Sequence, residues 1–147
     1  MREIVLSRAD SSSAGEMSAI AASSDFCAKW SASDFESEAS NKFARIYAAF
    51  YGGEMAGFAA FRFCREDAEL TNFAVRGRYR RSGIGSMLLA KGIESALSEG
   101  VKNITLEVSE KNSAAIALYE KFKFKTVSVR KKFYNNSDDA LLMLREI

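Results

Sequence analysis

The segment Arg-Tyr-Arg-Arg-Ser-Gly-Ile-Gly-Ser, residues 78–86, has a composition suited to binding an anion. Three arginines precede two glycines that are one residue apart, and a predicted helix begins at Ile84. The first amides of a helix lack an intrahelical acceptor, and the helix dipole adds partial positive charge beside them. Glycine lets a phosphate approach these amides and permits the backbone angles that point them inward. The segment therefore predicts a phosphate site in which amides bind the anion and arginines neutralise it.

Other interpretations of these glycines remain open. Two glycines before a helix are also typical of a simple tight turn. A nucleotide P-loop is disfavoured, because no Gly-Lys-Ser/Thr follows. A dinucleotide-binding fold is disfavoured as well, since its glycine loop follows the first strand of a parallel strand-helix-strand unit, whereas here an antiparallel meander comes first.

The elements before the glycine segment are predicted to be strands and two short helices. Helices are expected over residues 13–29 and 33–42, the second capped by Ser33 or Asp34. Alternating apolar and aromatic residues predict strands. Gly-Gly-Glu supplies a turn between the strands at 45–51 and 55–64, and Arg-Glu-Asp-Ala supplies the turn to the strand at 69–75. These three strands are expected to form an antiparallel meander. The predicted strands cover residues 3–6, 45–51, 55–64 and 69–75.

The elements after the glycine segment predict a parallel crossover. Apolar residues recur at helical spacing from Ile84 to Leu97, Gly100 supplies the stop, and residues 103–108 alternate as a strand. Strand, helix and strand in this order indicate parallel pairing. A further helix is expected from Asn112 to Phe122, and then two strands, residues 124–134 and 140–147, around a turn at 135–139. The fold class is α/β with a mixed sheet, in one domain over residues 1–147.

Composition limits the class of protein. The chain has 147 residues, 48% of them hydrophobic and 27% charged, as expected of a globular protein. No segment has signal-peptide or membrane-spanning character, so we expect a cytoplasmic location and no membrane partner. Cys27 and Cys64 fit no metal-ligand spacing, and without histidine we expect neither a zinc site nor a Ser-His triad. Both cysteines are expected to be reduced core thiols. No metal is expected.

Charge is distributed unevenly along the chain. The net charge is only +2, which does not favour a nucleic-acid partner. Residues 1–60 carry 5 Lys/Arg and 8 Asp/Glu, whereas residues 61–147 carry 16 Lys/Arg and 11 Asp/Glu. This asymmetry fits either an anionic ligand in the C-terminal part or an ordinary solvated face.

Several segments resemble the Gcn5-related N-acetyltransferases (GNAT). Arg-Arg-Ser-Gly-Ile-Gly at 80–85 is similar to the R/Q-x-x-G-x-G/A pyrophosphate loop of that superfamily. Leu-Thr-Asn-Phe-Ala-Val at 70–75 and the segment from Leu106 to Phe124 resemble its RimI-type ribosomal-protein alanine acetyltransferases. The resemblance spans nearly the whole chain, and it implies the GNAT acyltransferase fold, with a central sheet that splays after residue 75.

This resemblance implies an acetyl-CoA enzyme and assigns its site residues. Glu107 would be the general base and Tyr119 the general acid. Backbone groups of Phe73, Ala74 and Val75 would pair with the pantetheine arm, and Asn112 would contact the cofactor. The pyrophosphate would be held by Arg80, Arg81, Ser82, Gly83, Ile84, Gly85 and Ser86. Independently of the resemblance, the sequence places four arginines around the rim of this loop, where their charge would attract an anion: Arg76, Arg78, Arg80 and Arg81.

The chemistry of these side chains is compatible with such roles. A strand carboxylate at Glu107 can accept the proton of an attacking amine, and a phenol at Tyr119 can protonate the departing thiolate. Without the resemblance, Glu107 could be a strand residue facing solvent and Tyr119 an ordinary core aromatic. Asn112 could simply cap a helix, a role compatible with cofactor contact.

The acceptor is less well defined than the donor. Trp30, Phe35, Phe133 and Tyr134 could line a peptide groove or belong to the core. Lys123 stands where relatives have glycine, and prolines of the family are missing near this groove. Three functions remain: transfer to a protein N-terminus, transfer to a small amine or lysine, and acyl-CoA binding without catalysis. We expect a monomer or a homodimer.

Overall fold

The structure, a computed structural model, describes residues 3–134 and 138–147, apart from the side chains of Phe133 and Tyr134. The predicted turn at 135–139 falls largely outside these residues. None of the helices described is both long and apolar enough to span a bilayer. The strands are β1 Ile4–Arg8, β2 Ala44–Tyr51, β3 Glu54–Cys64, β4 Asp67–Val75, β5 Asn103–Ser109, β6 Lys125–Tyr134 and β7 Asp138–Glu146. The helices are α1 Ala14–Ala22, α2 Ala32–Ala39, α3 Ile84–Ser98 and α4 Ser113–Lys121.

The strands form one mixed sheet in the order β1-β2-β3-β4-β5-β7-β6. Strands β2 to β4 are the predicted antiparallel meander, and β1 adds to its edge by pairing antiparallel with β2. Strand β5 runs parallel to β4 after the α3 crossover, and β7 lies between β5 and β6, antiparallel to both. The predicted mixed α/β fold is confirmed.

The sheet separates two apolar layers, because alternate side chains of a strand point to opposite faces. Helices α1 and α2 pack on one face, where Met17, Ile20 and Phe35 meet alternate residues of β2 and β3. Helices α3 and α4 pack on the other face, with Leu88 and Tyr119 in the same cluster. The apolar stripe predicted for α3 is buried except at its end, where Leu97 is 54% exposed.

Strands β4 and β5 pair over a short distance only. The register runs from Asp67 opposite Asn103 to Glu69 opposite Thr105, and no pairing follows along the described strands. The splay thus begins after Glu69, not after residue 75 as expected. Two residues further along β4, Thr71 is an extra residue opposite β3, which is a β-bulge of the kind that bends a strand.

Three predictions for the N-terminal half were wrong in detail. The helix expected over 13–29 ends at Ala22, because the hydroxyls of Ser23 and Ser24 donate to the Ile20 carbonyl and compete with the next turn. The α2 cap is Ser31 in a capping box with Asp34, rather than Ser33 or Asp34 itself. Cys64, at the end of β3, is exposed, so it is not a core thiol.

Candidate active site

The splay between β4 and β5 brings together residues that are far apart in sequence. Phe73 on β4 lies with its ring centroid 6.2 Å from that of Tyr119 on α4. A Cβ atom on Gly85 would lie 3.3 Å from Phe73 Cζ and 3.4 Å from a Leu118 methyl carbon, so the start of α3 closes on the same place. The predicted cofactor strand, glycine loop and tyrosine therefore share one opening in the sheet.

The start of α3 has the geometry predicted for anion binding. Arg81 and Gly83 have φ angles of +64° and +87°, and the N-cap Gly83 has no side chain that could accept from the first amides. The first intrahelical bond runs from the Met87 amide to the Gly83 carbonyl, at 3.0 Å. The amides of the preceding residues therefore have no acceptor inside the helix. These are the amides of Gly83, Ile84, Gly85 and Ser86.

The arginines around this loop differ in their surroundings. Arg78 forms an ion pair with Glu54, whose carboxylate also accepts from the Tyr79 hydroxyl at 2.7 Å. The hydrogen bond from Tyr79, which has the larger effect, and the one from Arg78 hold the pKa of Glu54 below its usual range. Arg76 lies 3.9 Å from a Glu16 oxygen and donates to the Met55 carbonyl. Of the four arginines expected to add charge around the loop, Arg76 and Arg78 therefore have carboxylates beside them.

Arg80, Arg81 and Ser82 remain at the exposed edge of the loop. The Arg80 Nε donates to the Val75 carbonyl at 3.2 Å, which joins the loop to the end of β4. The Ser82 hydroxyl donates to the Tyr79 carbonyl. The loop is thus tied to the strand that borders the opening.

Glu107 borders the opening from the β5 side. Its neighbours Leu106 and Val108 are buried in the layer of α3 and α4, so Glu107 points to the opposite face. Glu107 Oε1 forms an ion pair with Arg130 Nη2 at 3.1 Å, while Oε2 is buried without a hydrogen-bond partner among the described residues. Its side chain is 29% exposed, so it does not simply face solvent.

Tyr119 is a buried residue at the opening, 6% exposed. Its ring lies between Phe73 and Phe124, with centroids 6.2 and 5.9 Å away. Tyr119 therefore does lie in the core, as its helical spacing suggested. This position puts its phenol on the face of the sheet opposite to the one toward which Glu107 points. A group lying in the opening would have a carboxylate on one side and a phenol on the other.

The structure gives a mixed result for the remaining predicted residues. Asn112 caps α4, because its Oδ1 accepts from the Ala115 amide at 3.3 Å. Trp30 is half-buried in the loop between α1 and α2. Phe35 is fully buried against Trp30 and Phe58, so it cannot line a groove. The side chains of Phe133 and Tyr134 lie outside the described residues.

Two residues at the opening escaped the analysis of the sequence. Arg130 reaches Glu107, but in the sequence it is one of six basic residues between Lys121 and Lys132. Asn72 is 4% exposed in β4 beside the bulge. The only signal for Asn72 was a polar residue within an apolar strand, which predicts a satisfied amide without saying what satisfies it.

Comparison with known proteins identifies the family of the chain. Residues 16–124 match the model of the acetyltransferase (GNAT) family. The chain is 35% identical over 117 residues to the [ribosomal protein bS18]-alanine N-acetyltransferase of Escherichia coli strain K12, covering 78% of each chain.

Solved structures give the same result. The crystal structure of the ribosomal-protein-S18-alanine N-acetyltransferase from Escherichia coli aligns with a TM-score of 0.90 at 29% identity, over 99% of this chain and 94% of that one. Arabidopsis thaliana NAA60 in complex with acetyl-CoA shares the fold, with a TM-score of 0.86 at 18% identity over 99% of each chain. The chain therefore belongs to the GNAT family of N-acetyltransferases, which use acetyl-CoA as the acetyl donor.

Proposed function

We propose that this chain, acting as one domain over residues 1–147, transfers the acetyl group of acetyl-CoA to the N-terminal α-amine of a protein. The observation that carries the proposal is the opening that begins after Glu69 and Thr105, with Glu107 on one face and Tyr119 on the other. A thioester in this opening would be accessible to a base and an acid at once.

The cofactor would lie along β4 and end at α3. The free amides from Gly83 to Ser86 suit a diphosphate, and exposed Arg80 and Arg81 supply positive charge. Backbone groups of Phe73, Ala74 and Val75 would pair with the pantetheine arm. Asn112 would contact the cofactor with the part of its carboxamide that does not cap α4. The chemistry of direct transfer requires no metal.

The reaction would be a direct attack of the amine on the thioester carbonyl. Glu107 takes the proton of the amine, directly or through water, as the carbon–nitrogen bond forms. Amides near Ala74 and Val75 stabilise the negative charge on the carbonyl oxygen. The carbon–sulfur bond then breaks, and Tyr119 gives its proton to the thiolate of CoA.

An α-amine suits this site better than a lysine on chemical grounds. With a pKa near 7.8, an α-amine is roughly 15% neutral at pH 7, whereas a lysine near 10.4 is only about 0.04% neutral. The relative from Escherichia coli is named for the alanine of ribosomal protein bS18. We therefore propose a ribosomal or other protein N-terminus as the acceptor, which the enzyme would meet in the cytoplasm.

The experiment offers several amines to the pure protein with acetyl-CoA. Peptides that begin with Ala, Ser, Met or Gly are compared with an N-terminally blocked peptide that contains lysine and with a polyamine. Mass spectrometry should find the acetyl group on the free α-amine only. Acetylation of the blocked peptide or the polyamine alone would contradict the proposed acceptor, and CoA binding without any turnover would indicate a non-catalytic module.

A further inference from the structure

Asn72 is a buried carboxamide at the point where β4 bends away from β5. It directly follows the bulge at Thr71, and its side chain points toward the face covered by α1 and α2, as that of Ala74 does. A buried amide without partners would be costly, so its contacts define its role.

The Asn72 carboxamide joins two separate segments. Its Oδ1 accepts from the Phe73 amide at 3.0 Å and lies 2.7 Å from Cys27 Sγ. Its Nδ2 donates to the Ala28 carbonyl at 3.2 Å. Because a backbone N–H can only donate, the Phe73 contact fixes which end of the carboxamide is oxygen, and Cys27 must then be the donor.

Cys27 is suited to remain that donor. Burial, as the largest effect, raises the pKa of the Cys27 thiol to about 11. The sulfur therefore keeps its proton at neutral pH and can donate it to Asn72 Oδ1. The cysteine acts here as part of a hydrogen-bonded link rather than as a nucleophile.

The two linked segments border different parts of the site. Cys27 and Ala28 belong to the loop of residues 23–31, which also carries the half-buried Trp30 on the face of the sheet toward which Glu107 points. Phe73 begins the stretch of β4 along which the cofactor is proposed to bind. We infer that Asn72 is a positioning residue that couples the 23–31 loop to the cofactor strand and so sets the placement of the amine relative to the thioester. This inference rests on the proposed function.

The first test compares two changes within the same bulge. Asn72→Ala removes the two contacts of its carboxamide with the loop, whereas Thr71→Val removes only the hydrogen bond from Thr71 Oγ1 to the Ala60 carbonyl within the sheet. Asn72→Ala is expected to lower kcat/KM for the peptide about 10- to 100-fold, as misplacement of reactants does, with CoA affinity changed less than about threefold. Thr71→Val should stay within about threefold of wild type in both measurements. An equal loss in both variants, a parallel loss of CoA affinity, or no loss in Asn72→Ala would overturn the inference.

A second pair of variants tests the link even if Asn72→Ala does not fold. Cys27→Ala removes one donor to Asn72, and Cys27→Ser restores one. We expect an intermediate loss of kcat/KM in the alanine variant and recovery in the serine variant. Equal activity of these two variants would contradict the proposed link.

Hydrogen exchange separates this inference from the proposed function, because it requires no turnover. Asn72→Ala, or Cys27→Ala if the former does not fold, should speed amide exchange in residues 23–31, and Thr71→Val should not. An inactive wild-type protein would refute the proposed function alone. Unchanged exchange in the 23–31 loop would refute the role of Asn72 alone.

Discussion

Arg130 on β6 reaches across β7 and places its Nη2 3.1 Å from Oε1 of Glu107 on β5. The other carboxylate oxygen of Glu107 is buried and has no hydrogen-bond partner among the described residues. One oxygen is thus paired with a cation, while the second is buried with its hydrogen-bonding capacity unused among the described residues. In the proposed reaction, an amine or a water would give up its proton to this carboxylate.

Glu107→Gln should abolish most of the activity. The amide keeps the size of the side chain but cannot accept the proton, so kcat/KM for a peptide should fall about 100-fold or more. Steady-state rates of CoA release measure this loss. Glu94→Gln, at an exposed position on α3, is the matched control and should retain full activity. Comparable rates for the two variants would exclude Glu107 as the base.

Tyr119→Phe should lower kcat while leaving the fold intact. The aromatic contacts with Phe73 and Phe124 persist, and only the proton donor for the thiolate is lost. We expect kcat to decrease about 100-fold. Tyr47→Phe is the control, because Tyr47 is 3% exposed in the same apolar cluster but lies on β2. A kcat for Tyr119→Phe equal to that of the control would assign Tyr119 to the core alone.

Gly85→Ala should weaken binding of coenzyme A. The added Cβ would lie 3.3 Å from Phe73 and 3.4 Å from Leu118, so the wall of the opening must shift. Overpacking of this kind costs about 1–3 kcal/mol, and 1.4 kcal/mol of binding energy corresponds to about tenfold in Kd. Calorimetric titration measures that Kd. The control is Gly15→Ala, which adds a Cβ that meets no atom within 4 Å and should leave the Kd for coenzyme A unchanged. Equal affinities of Gly85→Ala and Gly15→Ala for coenzyme A would show that Gly85 does not shape the cofactor site.

The cluster of Glu54, Arg78 and Tyr79 should make stability depend on pH. The pKa of Glu54 is lowered, so its contribution is present above the pKa of the unfolded chain and is lost as pH falls through the folded value. The hydrogen bond from the Tyr79 hydroxyl to Glu54 raises the pKa of Tyr79. The contribution of Tyr79 to stability is therefore present below the pKa of an unfolded tyrosine and is lost as pH rises through the folded value. Thermal unfolding of Glu54→Gln should therefore differ from wild type most at neutral pH and least in acid. A constant difference in Tm across this range would contradict the pairing.

The parts of the fold that follow from local pattern could be predicted from the sequence. The meander, the crossover and the amphipathic α3 follow from alternation, helical spacing and glycine stops. Lys123 adopts the left-handed conformation that favours glycine, with φ +70°, which agrees with the expectation of a glycine-type position there. The end of α1 was not predictable, because it depends on serine hydroxyls that compete for the Ile20 carbonyl.

The site could be predicted only where the residues are neighbours in sequence. A motif suffices to predict the glycine loop, and the family resemblance suffices to nominate Glu107. The link between Asn72 and Cys27, in contrast, spans 45 positions, and the ion pair of Arg130 with Glu107 crosses an intervening strand. Such contacts depend on sheet order and on the bulge at Thr71. Neither leaves a periodic signal in the sequence.

A crystal structure with coenzyme A tests the central claim most directly. We expect diphosphate oxygens about 2.7–3.2 Å from the amides between Gly83 and Ser86, and the thiol sulfur in the opening between β4 and β5, within reach of Glu107 and Tyr119. A diphosphate bound elsewhere, or a sulfur remote from both side chains, would contradict the proposed site.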